Sequence, residues 1–265
     1  MRLFLQVLKW CLPLCLCVVL VVQGEESHPS VEQIVEKMIS RSQEGQSQTN
    51  GLQHAWRRIS VVEELGSDGE IEKRKTKEYT VIGRGEVQAA TLVKIDGRNA
   101  TEREAAKEQQ KEGENQDRYT RRDGRRLGFE LDEKLVHQFH YAWLSNQVIY
   151  GRTNHVLSFT PKAAKDSGKI AERFLGSLGG RIWVDTELHE IARIEANLIR
   201  KITIGGFLAE VTGMGFRIER QALPEGVWVN TRLEGHAAGR KLFDRFFSRM
   251  EILQEGFHVH RPASP

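Results

Sequence analysis

The sequence predicts an α+β protein that is mostly antiparallel β. We expect a single strongly curved sheet, a half-barrel of roughly ten strands, with a few helices covering its concave apolar side. From Phe139 onward the chain consists of strand after strand with short turns between them. Parallel strands need crossovers of a dozen or more residues, so short turns indicate antiparallel neighbours. Several strands also alternate between apolar and polar residues, which predicts one buried and one wet face.

The first 24 residues have the layout of a secretory signal peptide. Arg2 and Lys9 precede an uncharged apolar run from Trp10 to Val22, and the small residue Gly24 follows it. Spanning a bilayer as a helix needs about 20 apolar residues, and this run is shorter. We therefore expect cleavage near Gly24 and one exported domain over residues 25–265.

All three cysteines, at positions 11, 15 and 17, lie inside this leader. The exported part therefore has no disulfide, thiol nucleophile or cysteine metal ligand. Removing Arg2 and Lys9 from the 39 basic residues leaves 37 against 36 acidic residues. A near-neutral balance argues against nucleic acid as the main partner.

The N-terminal part of the exported chain predicts one helix and three strands. Ser30 to Glu44 has apolar residues at helical spacing, as in an amphipathic helix. From Leu52 the pattern becomes that of a long charged hairpin, which turns at Gly66 to Gly69. Val87 to Ile95 predicts the third strand.

A polar insertion follows at about residues 99–126. Its first half, to Gly113, has high helix propensity but almost no apolar face, which predicts a solvated helix or a mobile excursion. The arginine-rich run from Arg118 to Arg126 comes next. It either contacts anionic lipid headgroups or an acidic partner, or is a solvated loop balanced by the neighbouring glutamates.

The second half of the chain predicts one short helix, Lys169 to Leu178, among many strands. We expect turns at Gly151-Arg152, Leu188-His189, Gly205-Gly206, Gly213 to Gly215, Pro224 to Gly226 and Ala238-Gly239. The predicted strands are Phe139–Trp143, Val148–Tyr150, His155–Phe159, Arg181–Asp185, Glu190–Ile199, Ile202–Val211, Phe216–Gln221, Val227–His236 and Lys241–Leu253.

The order of these elements, together with three short motifs, resembles a known family. The motifs are Val156 to Lys162 (VLSFTPK), Gly180 to Asp185 (GRIWVD) and Ile191 to Glu195 (IARIE). They resemble the LolA-like outer-membrane lipoprotein-sorting proteins, in particular uncharacterised members from Gram-negative bacteria. The resemblance implies a half-barrel closed by helices, whose cavity shelters the acyl chains of lipoproteins crossing the periplasm.

The hairpin from Leu178 to Ile199 carries four acids and a histidine within a few residues. We interpret it as sheet wall, because acids at a turn and on an outward face are normal there and catalysis would need a cleft. Arg193 is expected to form cross-strand ion pairs with Asp185 or Glu195. A four-residue turn and a five-residue turn are both possible, and the choice decides whether Trp183 or Val184 shares a face with Ile194.

No catalytic residue, cofactor or metal ligand is predicted. The histidine pairs His137 with His140 and His258 with His260 lack a third ligand at fixed spacing. The glycine pairs lack the strand-to-helix context of a nucleotide loop. Large apolar residues either line a ligand cavity or fill the core, and the candidates for a cavity are Trp183, Ile194, Leu198, Phe207, Phe216, Trp228, Phe246 and Met250.

The sequence thus predicts a monomeric, non-enzymatic, periplasmic binding protein for a hydrophobic ligand, such as a lipid or a lipoprotein acyl chain. The alternative is a sensor or interaction module of the sigma-factor-regulator type that docks on a membrane-protein partner. We expect Asp185→Asn and Glu195→Gln to leave ligand binding nearly unchanged, whereas Ile194→Glu should damage folding by placing a charge in the core.

Overall fold

The structure, a computed structural model, describes residues 29–47, 52–84, 87–111, 136–162, 170–205, 208–242 and 244–260. The signal peptide, its cleavage site and the arginine-rich run lie outside these ranges, so they remain predictions. Among the described residues, no helix combines the length and the apolar character needed to cross a membrane.

Twelve antiparallel strands form one sheet that does not close, which confirms the predicted fold class. The strands are β1 (His54–Leu65), β2 (Ile71–Arg84), β3 (Val87–Ile95), β4 (Arg98–Asn99), β5 (Phe139–Ile149), β6 (Arg152–Pro161), β7 (Leu178–Asp185), β8 (Ile191–Leu198), β9 (Ile202–Ile204), β10 (Ala209–Ala222), β11 (Trp228–Lys241) and β12 (Asp244–Val259). Their spatial order is β4-β3-β2-β1-β12-β11-β10-β8-β7-β6-β5, and β9 pairs with β10. The edges are therefore β4 and β5, which are neighbours in the sequence.

Two predicted turns and one predicted gap between strands are wrong, and in each case a strand continues through the segment. β5 runs without a break through the gap predicted between Trp143 and Val148, with a bulge at Leu144. β10 continues through Gly213 to Gly215, which pair regularly with β11 after a bulge at Thr212. β11 continues through Ala238 and Gly239, and the chain reverses instead at Leu242, which has a left-handed φ of 55°. Small residues here serve close strand packing rather than chain reversal.

The register divides the central side chains between two faces, because antiparallel partners point to the same side of a sheet. We call them the apolar face and the charged face. On the apolar face Ile182, Ile194, Ile218, Leu233 and Ile252 are successive partners across β7, β8, β10, β11 and β12. The neighbouring residue in each of these strands points to the other side. The charged face therefore carries Arg181, Glu195, Arg217, Glu234 and Glu251.

Helix α1 (Val31–Ser47) covers the apolar face over β6 to β8. Its predicted apolar side chains Ile34, Val35, Met38 and Ile39 are buried. They form one cluster with buried residues of the sheet, among them Leu157, Ile182, Val184, Ile191 and Ile194. An ion-pair chain holds the helix to the sheet as well, since Glu190 accepts from Arg41 at 3.0 Å and from Arg220 at 3.1 Å.

Helix α2, residues 102–111, covers the same face at the other end of the sheet. Ala105 packs against a cluster formed by Trp56, Tyr79, Val81, Leu92 and Ile95. Glu108 accepts a hydrogen bond from the Tyr79 hydroxyl at 2.9 Å and pairs with Lys77. This part of the polar insertion is thus docked, not the fully solvated helix that its composition predicts, because a small alanine surface and one carboxylate are enough to hold it. The third helix, α3 (Ile170–Leu175), is short, and Arg173 donates to the carbonyl of Thr203.

The hairpin of β7 and β8 uses both registers that the sequence allows. Asp185 donates its N–H to the carbonyl of Glu190 and Val184 pairs with Ile191, as in a four-residue turn. A bulge at Ala192 then shifts the register, so that Trp183 pairs with Arg193 and Ile182 with Ile194. Val184 therefore shares the α1-covered cluster with Ile194, whereas Trp183 lies in a separate cluster with Ile149, Val156 and Ala192.

Candidate functional site

The middle of the apolar face, over β10 to β12 and β1, is left uncovered by helices in the part of the chain that the structure describes. The cluster under α1 extends to Phe216 of β10, and the cluster that Ala105 of α2 joins lies on β1 to β3 and includes Phe257 near the end of β12. Between them Phe246 is 37% exposed, Met250 40% and Val62 42%. Large apolar side chains on a soluble protein are rarely exposed as a contiguous group without a binding role.

Small residues of β11 form the floor of this uncovered region. Gly235, Ala237 and Gly239 alternate along the strand and point to the apolar face. Their partners in β10 and β12 are larger, and they form two walls. We call this arrangement the apolar trough: floor Gly235, Ala237 and Gly239; walls Met214 and Phe216 on one side, Phe246 and Met250 on the other.

The side chains of the walls lie close to the floor residues. A methyl group added at Gly235 would lie 3.7 Å from Cε of Met250 and 3.6 Å from the carbonyl of Gly215, which is ordinary contact. At Gly239 the same methyl would approach the Phe246 ring to 2.8 Å and the Glu210 carbonyl to 2.2 Å. Met250 is unbranched and can change rotamer at low cost, so one end of the trough is adaptable and the other is shaped by an aromatic ring.

The charged face behind the trough carries a ladder of alternating charges. Glu195 pairs with Arg181 and with Arg217, in each case at 2.9 Å. Arg232 continues the ladder to Glu234 at 2.8 Å and Glu251 at 2.7 Å. A cleft of about 480 Å³ lies over these residues, and arginine and glutamate side chains dominate its lining. Ion pairs that satisfy one another leave little free charge for a ligand, so this face behaves as a solvated wall.

The eight predicted cavity residues do not lie together. Phe216, Phe246 and Met250 are walls of the trough. Ile194 lies under α1, and Leu198 is four residues further along β8 on the same face. Trp183 and Trp228 belong to a separate cluster, in which Trp183 lies on the face opposite its neighbours Ile182 and Val184. Phe207 lies outside the described residues.

The acids of the β7–β8 hairpin are placed differently from their prediction. Asp185 is buried, with 1% exposure, and accepts from Arg152 at 2.5 Å and 3.0 Å and from the N–H groups of Glu187 and Leu188. Arg193 pairs with Glu219 at 2.9 Å, so the predicted pair with Asp185 or Glu195 is wrong. Burial alone would raise the pKa of Asp185, but the hydrogen bonds from Arg152, Leu188 and Glu187 outweigh it and hold the pKa below its ordinary value. An ionised carboxylate that accepts four hydrogen bonds in this way caps a turn.

No group of three or more histidine, cysteine or acidic side chains in metal-binding arrangement occurs in the described ranges. Burial lowers the pKa of His189, and the charge of Lys37 in α1 lowers it further against the opposing effect of Asp185. This imidazole is therefore neutral near pH 7.

Sequence reasoning missed the floor of the trough. The run Gly235 to Gly239 (GHAAG) contains the three small residues at period two, but we assigned Ala238-Gly239 to a turn. The signal that could have found it is the spacing of small residues at alternate positions, which places them on one face of a strand.

Of the comparisons with known proteins, only the one with solved structures found similar proteins. No family model matches the chain, and no curated protein matches it. An outer membrane lipoprotein-sorting protein domain from Vibrio parahaemolyticus is 10% identical, with 87% of this chain and 95% of that chain covered and a TM-score of 0.33. The lipoprotein LppX from Mycobacterium tuberculosis is 9% identical, with 89% and 100% covered and a TM-score of 0.32.

A LolA superfamily protein from Nitrosomonas europaea is 9% identical, with 88% of this chain and 95% of that chain covered and a TM-score of 0.31. The fold assignment above rests on the strand register of this chain and not on these likenesses.

Proposed function

We propose that this protein is an exported, periplasmic binding protein that carries a hydrophobic ligand, a lipid or lipoprotein acyl chain, in the apolar trough. The observation that carries the proposal is the exposure of Phe246 and Met250 in the middle of the apolar face, between two regions that helices cover. A flexible acyl chain suits this site because it can lie along β11 against a floor of glycine and alanine.

The energetics are sufficient for non-covalent carriage. Each buried methylene contributes about 0.8 kcal/mol, so a chain of about a dozen would gain roughly 10 kcal/mol before the cost of ordering the ligand. No covalent chemistry is needed. The neighbouring ion pairs of the charged face play no part, because they lie on the opposite side of the sheet.

The first experiment is lipid mass spectrometry on the protein purified from the periplasm of its own host and extracted with organic solvent. We expect a lipid to co-purify and a fluorescent fatty acid to be taken up by the delipidated protein. Absence of both would overturn the proposal. If a membrane protein co-purified instead, the sensor or interaction module would be the better description.

A pair of equally exposed residues locates the site. Met250 and Val93 are both 40% exposed, but Val93 lies on β3, outside the trough. We expect Met250→Lys to weaken fatty-acid binding about tenfold or more, because it places a charge in the trough, and Val93→Lys to leave binding unchanged. Equal effects of the two variants would show that the ligand binds elsewhere.

Filling the floor is the complementary test. Gly235 has room for a Cβ at ordinary contact distance, so Gly235→Ala should fold normally while adding a methyl group to the floor in the space of the ligand. Reduced fatty-acid binding at unchanged thermal stability is the expected result. Unchanged affinity in this variant would contradict binding along β11.

A further inference from the structure

The edge strand β5 differs in composition from the rest of the sheet. Its eleven residues, FHYAWLSNQVI, include no aspartate, glutamate, lysine, arginine or proline. Every other described strand longer than three residues has at least one charged side chain. Charged residues and proline are the common means by which proteins prevent edge strands from pairing with other chains, and β5 has neither.

The two edges of the sheet are also unequal in length. β4, at one edge, is two residues long, and the adjoining β3 is interrupted by a bulge at Val93 and carries Lys94. β5, at the other edge, pairs with β6 from Phe139 to Ile149 with a single bulge at Leu144, so a much longer stretch of backbone is left at this edge. In the part of the chain that the structure describes, no strand pairs with its other side. Its outward N–H and C=O groups can therefore accept a further strand.

Exposed apolar side chains are concentrated on this strand. Val148 is 70% exposed, Leu144 48% and Trp143 38%, and Tyr150, in the turn that follows, is 54% exposed. Val148 is the most exposed large hydrophobic residue of the described chain. Exposure of this kind along an unprotected edge is typical of an interface.

We propose that β5 forms the interface of a two-fold dimer, in which the β5 strands of two copies pair antiparallel with each other. A two-fold axis at Asn146 pairs Ser145 of one copy with Gln147 of the other and brings Leu144, the bulge residue, next to Val148 of the other copy, twice. The two most exposed aliphatic residues of the strand thus bury each other. Because β5 is uncharged, no like charges meet, whereas self-pairing of a charged strand such as β1 would oppose them.

This interface leaves the apolar trough open, since β5 and β11 are separated by four strands in the sheet. The dimer replaces the monomer expected from the sequence and is independent of the proposed ligand. It would extend the sheet continuously across both copies through main-chain hydrogen bonds.

The test is sedimentation velocity on the full protein from about 1 to about 100 μM, a range in which weak interfaces assemble. We expect a concentration-dependent dimer. Val148→Lys should weaken it about tenfold or more, because two lysines would enter the apolar contact. Ile71→Lys, at a position that is 45% exposed at the start of β2, is the matched control and should dimerise like the parent. Circular dichroism melting confirms that both variants fold.

Disulfide formation provides the second readout. Asn146→Cys lies on the proposed axis, so oxidation should link it to itself in a covalent dimer. The parent chain under the same oxidant controls for Cys11, Cys15 and Cys17, since residues 25–265 contain no cysteine. A protein that stays monomeric throughout the concentration range, a dimer unaffected by Val148→Lys, or failure of the Asn146→Cys cross-link would each overturn the proposal.

Discussion

Asp185 shows how far a residue's environment can depart from what its sequence neighbours indicate. It follows a strand and precedes a polar turn, which is typical of an exposed acid, yet it is 1% exposed. Its oxygens accept from both the Arg152 guanidinium and two turn N–H groups. The side chain therefore organises the turn from inside the protein.

We expect Asp185→Asn to lower the free energy of unfolding by about 1–3 kcal/mol, because an amide cannot accept all of these hydrogen bonds or neutralise Arg152. Urea denaturation at neutral pH measures the loss. Glu187→Gln is the control: its pair with Arg152 at 3.1 Å is exposed, so little change is expected. Equal stability of Asp185→Asn and the parent would contradict the structural role of this carboxylate.

The same residue predicts a pH dependence of defined sign. The pKa of Asp185 is lowered in the folded state, so its contribution is present above the unfolded pKa of about 3.9 and is lost as pH falls through the folded pKa. The stability difference between the parent and Asp185→Asn should therefore shrink as the solution is acidified below that unfolded value. A difference that grows in acid would contradict this sign.

At the scale of elements, the hairpin of β7 and β8 depends on one glycine. A methyl group added at Gly180 would lie 1.9 Å from the carbonyl oxygen of Glu195 on the neighbouring strand. Real side chains do not approach this closely, so the two backbones would have to separate. The close approach keeps β7 and β8 in register beneath α1.

We expect Gly180→Ala to destabilise the protein by about 1–3 kcal/mol, the usual range for overpacking. Gly213→Ala is the matched control, because its added methyl would contact Ala238 at an ordinary 3.6 Å. Thermal denaturation of both variants gives the comparison. If Gly180→Ala melts with the parent, the strands are further apart than the structure places them.

At the scale of the whole molecule, the two ends of the described chain are joined by β1 and β12. These strands pair over most of their length, from His54 with Val259 to Leu65 with Phe247. At one end of the pair, Trp56 stacks on Phe257 at 5.4 Å and donates its indole N–H to Gln254 at 2.6 Å. The first four strands are therefore attached to the rest of the sheet through the last one.

Removing residues 254–265 should expose Trp56 and detach the His54 to Arg58 end of β1 from the sheet, since only Ile59 to Leu65 keep their β12 partners. We expect a lower and less cooperative melting transition together with a red shift in tryptophan fluorescence, because a stacked and hydrogen-bonded indole becomes solvated. Removal of residues 261–265 alone leaves the Trp56 contacts intact and is the control. A normal transition in the longer deletion would show that β1 does not depend on the end of β12.

The class of fold, the position of α1 and the first three strands could be predicted from the sequence, because alternation and helical spacing are local patterns that follow from burial. The sequence also identified Phe216, Phe246 and Met250 as candidates. Only the tertiary structure decided that these three line one trough while Trp183 faces away, since the bulge at Ala192 reverses the parity of the hairpin.

The tertiary structure alone also placed β12 beside β1 and left β4 and β5 as edges. Local patterns specify how a strand divides its faces but not which distant strand completes its hydrogen bonds. That choice joins residues about 200 positions apart in the sequence, such as His54 and Val259. The local sequence does not specify it, because the backbone groups that form the hydrogen bonds are the same in every strand.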